Sequence, residues 1–476
     1  MVDGALWNIA FALLAKFLSF GGQIVLAWIL VPADFGLAGM AQSMAAFTAI
    51  LSVGGLSDVL VQRGRCREDA PHALWLSYGF MVATAVALAA IAVGASASGR
   101  PRVGGLVAVI ALASLVGAPN TVVAAGLLSK LEFKVVAFAQ FVGGLVYTAV
   151  AVGLAWTGYG PYALVAPLPL QLLVTLVWML THGGSIRVGP PNWSMIKPLV
   201  RPTLALSVAG LFSGLQVQAP VFACGVLLGA AKTGVFSWAW SIAGQAVFLV
   251  ANNLKGVLAT VLAQVDPDGI RRSNAAMKAA RAMTALLCVA CGVQALLAQS
   301  LIGHLPAKWS AAGPIVMIFS GGLVLQGFWV CGMAWLNVAG RYRLLLWIGA
   351  GQAFLAVLCT SFGAKLGDVK GAAIGYALAG LVGALAPVLA MGTTVLVEQA
   401  RRLALLGSLS AAIWLGCWVT TRNRGIVLQI AAATVFSMTS AYGWWRRDDG
   451  GLAAVGDRVR QVLRWLHFGR RTSGDG

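Results

Sequence analysis

Residues 72–95, HALWLSYGFMVATAVALAAIAVGA, run from His72 to Ala95 without one Asp, Glu, Lys or Arg. As an α-helix this stretch is about 36 Å long at 1.5 Å per residue, which exceeds the roughly 30 Å hydrocarbon core of a bilayer. Each backbone N–H and C=O is satisfied within such a helix, so the segment can leave water without leaving polar groups unpaired. The same kind of stretch recurs along the whole chain. Of the 476 residues, 59% are hydrophobic and only 10% are charged, against about 25% charged in an average soluble protein, and the mean hydropathy is +0.86. That balance excludes an ordinary soluble enzyme, a disordered tail protein and a disulfide scaffold. It points to an all-α, polytopic membrane protein.

Windows of about 20 apolar residues, interrupted by charges or Gly/Pro clusters, predict about 14 transmembrane helices. They fall near 7–30, 37–59, 72–95, 104–127, 135–156, 161–182, 203–228, 234–262, 281–303, 313–338, 344–363, 371–396, 403–420 and 425–445. The Gly- and Pro-rich connection after the sixth span divides the chain. An N-lobe occupies residues 1–185 (spans 1–6), an inter-lobe linker 186–202, and a C-lobe 203–400 (spans 7–12). Two extra spans cover 401–446 and a basic tail covers 447–476. Leu30–Leu37 (LVPADFGL) sits between spans 1 and 2 as Leu228–Val235 (LGAAKTGV) sits between spans 7 and 8. Six is an even number, so two such blocks share an orientation and form parallel repeats around an axis along the membrane normal. In the tail, Leu452, Val455, Val459, Val462, Leu463 and Leu466 recur at helical spacing among Arg458, Arg460 and Arg464, the pattern of an amphipathic helix on an anionic membrane surface.

The net charge of +19 on a soluble domain would suggest nucleic acid; in a polytopic protein it is first an orientation signal, and no nucleic-acid partner is expected. With the N-terminus inside, 23 basic residues fall on the inner side and 8 on the outer. Both termini are therefore expected in the cytoplasm. The first 30 residues lack a basic leader region and a small-residue cleavage site, so they read as a retained span.

Enzyme chemistry finds little support. His72, His182, His304 and His467 lie near span ends or in the tail and have no metal-ligand spacing. Cys288 and Cys291 stand in an apolar stretch with no second pair, as buried small hydrophobes do. Ala231-Lys232-Thr233 lacks the glycines of a phosphate-binding loop. None of the 14 acidic residues falls in mid-span, and only Asp58 lies just inside a span end, so paired carboxylates have no buried place to act. The outer connections are too short for a catalytic domain. No catalytic residue, metal or cofactor is expected.

Two cations do stand within spans. Lys16 is near the middle of span 1 and Lys255 well inside span 8; a lysine at the bilayer centre costs about 2.5–3.5 kcal/mol on insertion scales. The sequence supplies no carboxylate at either depth, which points to an anion that comes and goes. Lys16, Ser19 and Gln23 share one helical face, and Gln245, Asn252 and Lys255 share another, so each lysine heads a polar stripe. The competing reading is that both lysines extend to the interface and hold no ligand.

Further stretches resemble the bacterial polysaccharide and O-antigen flippases. These are Leu26-Ala27, Pro32–Leu37 leading into span 2, Gly55-Leu56 followed by Leu60–Arg63, Leu131–Lys134, Gly158–Val165, Leu228-Gly229 and Gly234–Ala239. The similarity runs over about the first 400 residues. It implies the multidrug/oligosaccharidyl-lipid/polysaccharide exporter superfamily: two six-helix lobes, two C-terminal helices, and an alternating-access cavity formed chiefly by spans 1, 2, 7 and 8. The implied cargo is an undecaprenyl-diphosphate-linked oligosaccharide or polysaccharide repeat unit, crossing the inner membrane. Other polysaccharide assembly proteins and membrane lipids are the implied partners. Members often carry a basic residue where Trp28 stands, so a less positive outer end is expected here. A cation-coupled multidrug exporter of the same superfamily, a membrane glycan polymerase or glycosyltransferase, and a non-transporting scaffold of a polysaccharide assembly complex are the alternatives.

Overall fold

The computed structural model describes residues 2–48, 55–63, 66–130, 132–186, 188–248, 262, 269–391 and 426–447. Among them the chain is helical and contains no strand. In order, the helices are α1 (Val2–Ile29), α2 (Pro32–Phe47), α3 (Leu56–Arg63), α4 (Cys66–Ala97), α5 (Pro101–Ser129), α6 (Phe133–Trp156), α7 (Pro167–Thr181), α8 (Trp193–Leu227), α9 (Ala230–Val247), α10 (Gly269–Gly303), α11 (Ala312–Leu323), α12 (Gln326–Val338), α13 (Tyr342–Leu389) and α14 (Ile426–Arg447). Seven described helices are long and apolar enough to cross a membrane, and α11 with α12 makes an eighth if that bent pair counts as one span. The protein is a multi-pass membrane protein. Its apolar exposure agrees: Phe17, Val93 and Phe354 are 69%, 70% and 69% exposed, acceptable where lipid and not water is the neighbour.

Helix boundaries follow local chemistry. The expected third span lies wholly within α4. Pro32 opens α2 at a position where its missing N–H is no loss, and the Asp34 carboxylate accepts a hydrogen bond from Val31 N at 3.1 Å. Asn192 caps α8, its side-chain oxygen accepting from Ser194 N at 3.0 Å. That cap starts α8 ahead of the expected position 203, so Lys197, Pro198, Arg201 and Pro202 of the expected linker lie in its first turns. The expected single span over 313–338 is instead two helices bent by 42° between Leu323 and Gln326. Gly321 and Gly322 weaken the helix just before the break. Spans 11 and 12 are the two arms of α13, reversing at Gly367 and Asp368; Asp368 has φ 58°. Across this hairpin the Gln352 amide donates to Ala379 O at 3.0 Å. The expected span 403–420 and the amphipathic tail lie outside the described residues.

Two compact units arise from the chain. The first comprises Met1–Gln245, Ile302–Phe319 and Arg343–Ala379, and the second Ala246–Leu301, Ser320–Tyr342 and Gly380–Gly476. In the first, α4 packs along α5, α1 along α6, and α2 along α8. A core of Leu56, Val59, Leu60, Leu74, Met81, Val122 and Leu199 ties α3, α4, α5 and α8 together. In the second, Cys288 and Leu296 of α10 pack with Ala433 and Phe436 of α14. Both cysteines of the 288/291 pair are buried.

Candidate functional site

The polar stripe of α1 begins from a simple division of its faces. Phe11 meets Phe138 and Phe141 of α6 at 5.0 and 6.0 Å between ring centroids, so that side of α1 is committed to packing. Lys16, Ser19 and Gln23 lie away from it and are half-buried. Toward the Ile29 end the same side of α1 becomes Leu26, Ala27 and Leu30, all buried. What buries them is aromatic. Trp309, fully buried in the short turn Ala307–Trp309, donates its indole N–H to Ala27 O at 2.7 Å. Trp238 of α9 donates to Gln23 O at 3.4 Å. The two rings lie 4.7 Å apart, and Phe35 of α2 meets Trp309 edge-on at 5.2 Å. Lys308 donates to Trp28 O at 3.1 Å. The carbonyls of Ala27 and Trp28 belong to the last turn of α1, where no helical N–H remains to bond them.

The Trp238–Gln23 contact fixes a level from which depth can be counted. Lys16 lies seven residues before Gln23 on α1, and Gln245 lies seven residues after Trp238 on α9. Seven residues are two turns, so each pair shares a face and is separated by about 10 Å along its helix. The start of α9 lies beside Pro32 and Gly36, just beyond the end of α1, so Lys16 and Gln245 each lie two turns further along their helices from the Trp238–Gln23 contact. Gln245 Nε2 donates to Ser241 O at 3.2 Å, while its Oε1 is a buried acceptor with no hydrogen-bond partner. Between them the two helices offer a lysine, a hydroxyl one turn from it and a buried amide acceptor with no hydrogen-bond partner, groups suited to an anionic, hydroxyl-bearing ligand. Asn252 and Lys255, the rest of the α9 stripe, lie outside the described residues.

The sequence reading missed several residues here. Ser43 of α2 and Gln218 of α8 lie 3.4 Å apart; both are polar at helical positions with no charge to mark them. Asp69, placed by the sequence in the connection before span 3, is only 2% exposed because α4 starts at Cys66. Lys232 pairs with Asp368 at 2.7 Å, a contact between residues too far apart in sequence to be read as partners. His182, at the C-terminal end of α7, stacks on Trp178 with 4.1 Å between ring centroids. No group of His, Cys, Asp and Glu suited to a metal occurs among the described residues.

The two segments matched by internal repetition also touch. A Cβ on Gly36 would strike Ala230 O, and a Cβ on Gly234 would strike Pro32 O. Gly36 and Gly234 occupy corresponding positions of the two repeats, as do Pro32 and Ala230, so the contact is reciprocal, the signature of a two-fold relation.

Comparison with known proteins gives the family and the fold. Residues 25–314 match the family described as "Polysaccharide biosynthesis protein". The chain is 24% identical over 378 residues to the succinoglycan biosynthesis transport protein ExoT of Rhizobium meliloti (strain 1021), covering 77% of this chain and 76% of that protein. Among solved structures it resembles the lipid II flippase MurJ in an inward closed conformation, with a TM-score of 0.70 at 11% identity over 93% of this chain and 99% of the other. It also resembles an inward-facing multidrug resistance MATE family transporter of the MOP superfamily, with a TM-score of 0.65 at 15% identity over 83% and 99% of the two chains. Both likenesses concern the fold.

Proposed function

Because the chain belongs to the polysaccharide biosynthesis protein family, we propose that it is a flippase. Its cargo is an undecaprenyl-diphosphate-linked oligosaccharide or polysaccharide repeat unit, moved across the bacterial inner membrane by alternating access of two six-helix lobes. No covalent bond of the cargo is made or broken. The observation that carries this reading is the family match over residues 25–314, beside the likeness to a succinoglycan biosynthesis transport protein, and the polar stripes of α1 and α9 support it. Lys16 and Lys255 hold the diphosphate, because a charge-assisted hydrogen bond to a phosphate oxygen is roughly twice as strong as a neutral one. Ser19, Gln23, Gln245 and Asn252 offer donors and acceptors to the first sugar. Both termini lie in the cytoplasm, on the side where the basic excess is greatest.

The test is flipping of a fluorescent lipid-linked oligosaccharide by the purified protein in proteoliposomes. Protein-dependent movement of the glycolipid, with no chemical change to it, is expected. Transport of lipophilic cations in place of the glycolipid would overturn the reading in favour of a multidrug exporter, and chain extension of the glycan would overturn it in favour of a polymerase.

A further inference from the structure

We propose that the connection 183–192, with the adjoining ends of α4 and α5, is a docking surface for the headgroups of anionic phospholipids. Val188 lies against the acyl chains and the Lys130 ammonium binds the phosphate. On the charge-derived topology this is the inner leaflet. The inference stands apart from the transport reading.

The Gly and Pro content of this stretch is that of a linker, and a linker needs no fixed position. In the structure it is fastened to the first compact unit along its length. Gly184 N donates to Met179 O of α7 at 2.8 Å, next to Gly183 at φ 101°. Lys130, at the end of α5, donates from Nζ to Gly183 O at 3.4 Å. Further on, Trp75 of α4 donates its indole N–H to Gly189 O at 2.8 Å, and a Cβ on Gly189 would meet Pro71 at 3.4 Å. Asn192 then caps α8. The connection is a strap that leads from the end of α7 past α5 and α4 to α8.

Trp75 fixes the side and the depth of this strap. Val82, Val86 and Val93 fall within about 20° of Trp75 around α4, and the four side chains are exposed. Exposed valines along a charge-free helix face lipid, so Trp75 ends a lipid-facing stripe and Gly189, bonded to it, lies on the lipid side of the helices. Trp75 is also the fourth residue of the charge-free stretch that starts at His72, the level of the membrane–water boundary where indoles concentrate. Beside Gly189, Val188 is 74% exposed. An apolar side chain held out at that boundary meets acyl chains.

Charge selects the lipid. The inner connections 60–71, 128–134 and 183–202 hold eight Lys and Arg against three Asp and Glu. Of the three acids Asp69 is buried, while Glu68 and Glu132 are exposed. Lys130 is exposed, and its bond to Gly183 O uses one of three N–H donors, so two can reach a phosphate. Each Lys or Arg near an anionic bilayer surface favours binding there by about five-fold. A zwitterionic headgroup carries the same phosphate beside a cancelling charge.

A photo-cross-linking amino acid in place of Val188 reads this surface directly, in nanodiscs of about three parts phosphatidylcholine to one part phosphatidylglycerol. Mass spectrometry of the lipid adducts should find phosphatidylglycerol at least about three-fold above its bulk share. The same probe at Val86, on the same face but deeper, should capture the two lipids in bulk proportion. Lys130→Gln should lower the enrichment at 188 by at least about two-fold, and Lys130→Arg should keep it. Adducts in bulk proportion, or no lipid adduct at 188, overturn the proposal, as does an enrichment that Lys130→Gln leaves unchanged in monodisperse protein. Displacement of phosphatidylglycerol from the adducts by added lipid-linked oligosaccharide overturns it in favour of a loading site for cargo. Enrichment in a protein that flips no glycolipid overturns the transport reading and leaves the lipid surface standing.

Discussion

Lys16 tests the site most directly. Losing a charge-assisted hydrogen bond costs about 1.5–3 kcal/mol, which is about ten- to a hundred-fold in rate if it is made at the step that limits transport. Lys16→Ala and Lys16→Gln are therefore expected to lower glycan flipping by at least about ten-fold while inserting normally. Lys16→Arg should keep part of the activity, since a guanidinium also binds phosphate though its planar fork fits differently. The same series at Lys255 is expected to behave alike, and replacing both lysines to be no milder than replacing one. Parental rates in both Lys16→Ala and Lys255→Ala would mean that the lysines extend to the interface and hold no cargo. Lys16 was legible in the sequence because a charge in an apolar helix stands out against its neighbours. Gln218, Ser43 and Trp309 were not legible, because a polar or aromatic residue in a span is common and only its partner across the fold gives it a role. For Trp309 that role is measurable. Trp309→Phe keeps the ring and removes the N–H to Ala27 O, which should cost about 1 kcal/mol and lower the thermal midpoint of the solubilised protein.

Among elements, the crossing of α2 with α9 is the most sensitive. A side chain at Gly36 or Gly234 meets backbone carbonyl oxygen, which cannot rotate aside. Gly36→Val and Gly234→Val are expected to push the helices apart, at or above the upper end of the 1–3 kcal/mol or so that overpacking costs. Gly39→Ala, whose nearest contacts are 3.3 Å or longer to side chains, should be tolerated. Size-exclusion profiles of fluorescently tagged variants at rising temperature would rank them, and equal midpoints for Gly36→Val and Gly39→Ala would refute the account. The sequence placed most span centres correctly, because apolar length is a property of the segment itself. It missed the bend after Leu323 and the early start of α8. Helix breaks and extensions beyond the membrane depend on caps and neighbours, and apolar length is silent about both.

For the molecule as a whole, topology is the first prediction. The 23 to 8 division of basic residues expects a reporter fused after Gly476 to be cytoplasmic and one placed at Gly99 to face outward. A periplasmic C-terminal reporter would overturn it. Flipping by the purified protein alone is expected to be independent of added nucleotide, and stimulation by ATP would refute that. The sequence by itself determined that the chain is helical and crosses the membrane many times, because hydropathy and backbone satisfaction in lipid leave few alternatives. It also put forward both polar stripes, since spacing along one helix fixes which residues share a face. Only the tertiary structure decided that Trp238 of α9 reaches Gln23 O of α1 and that Gly36 meets Gly234. It alone revealed that the Trp309 indole caps the end of α1. These are relations between helices far apart in the chain, and they exist only once backbones approach closely enough for small residues, indoles and terminal carbonyls to find one another.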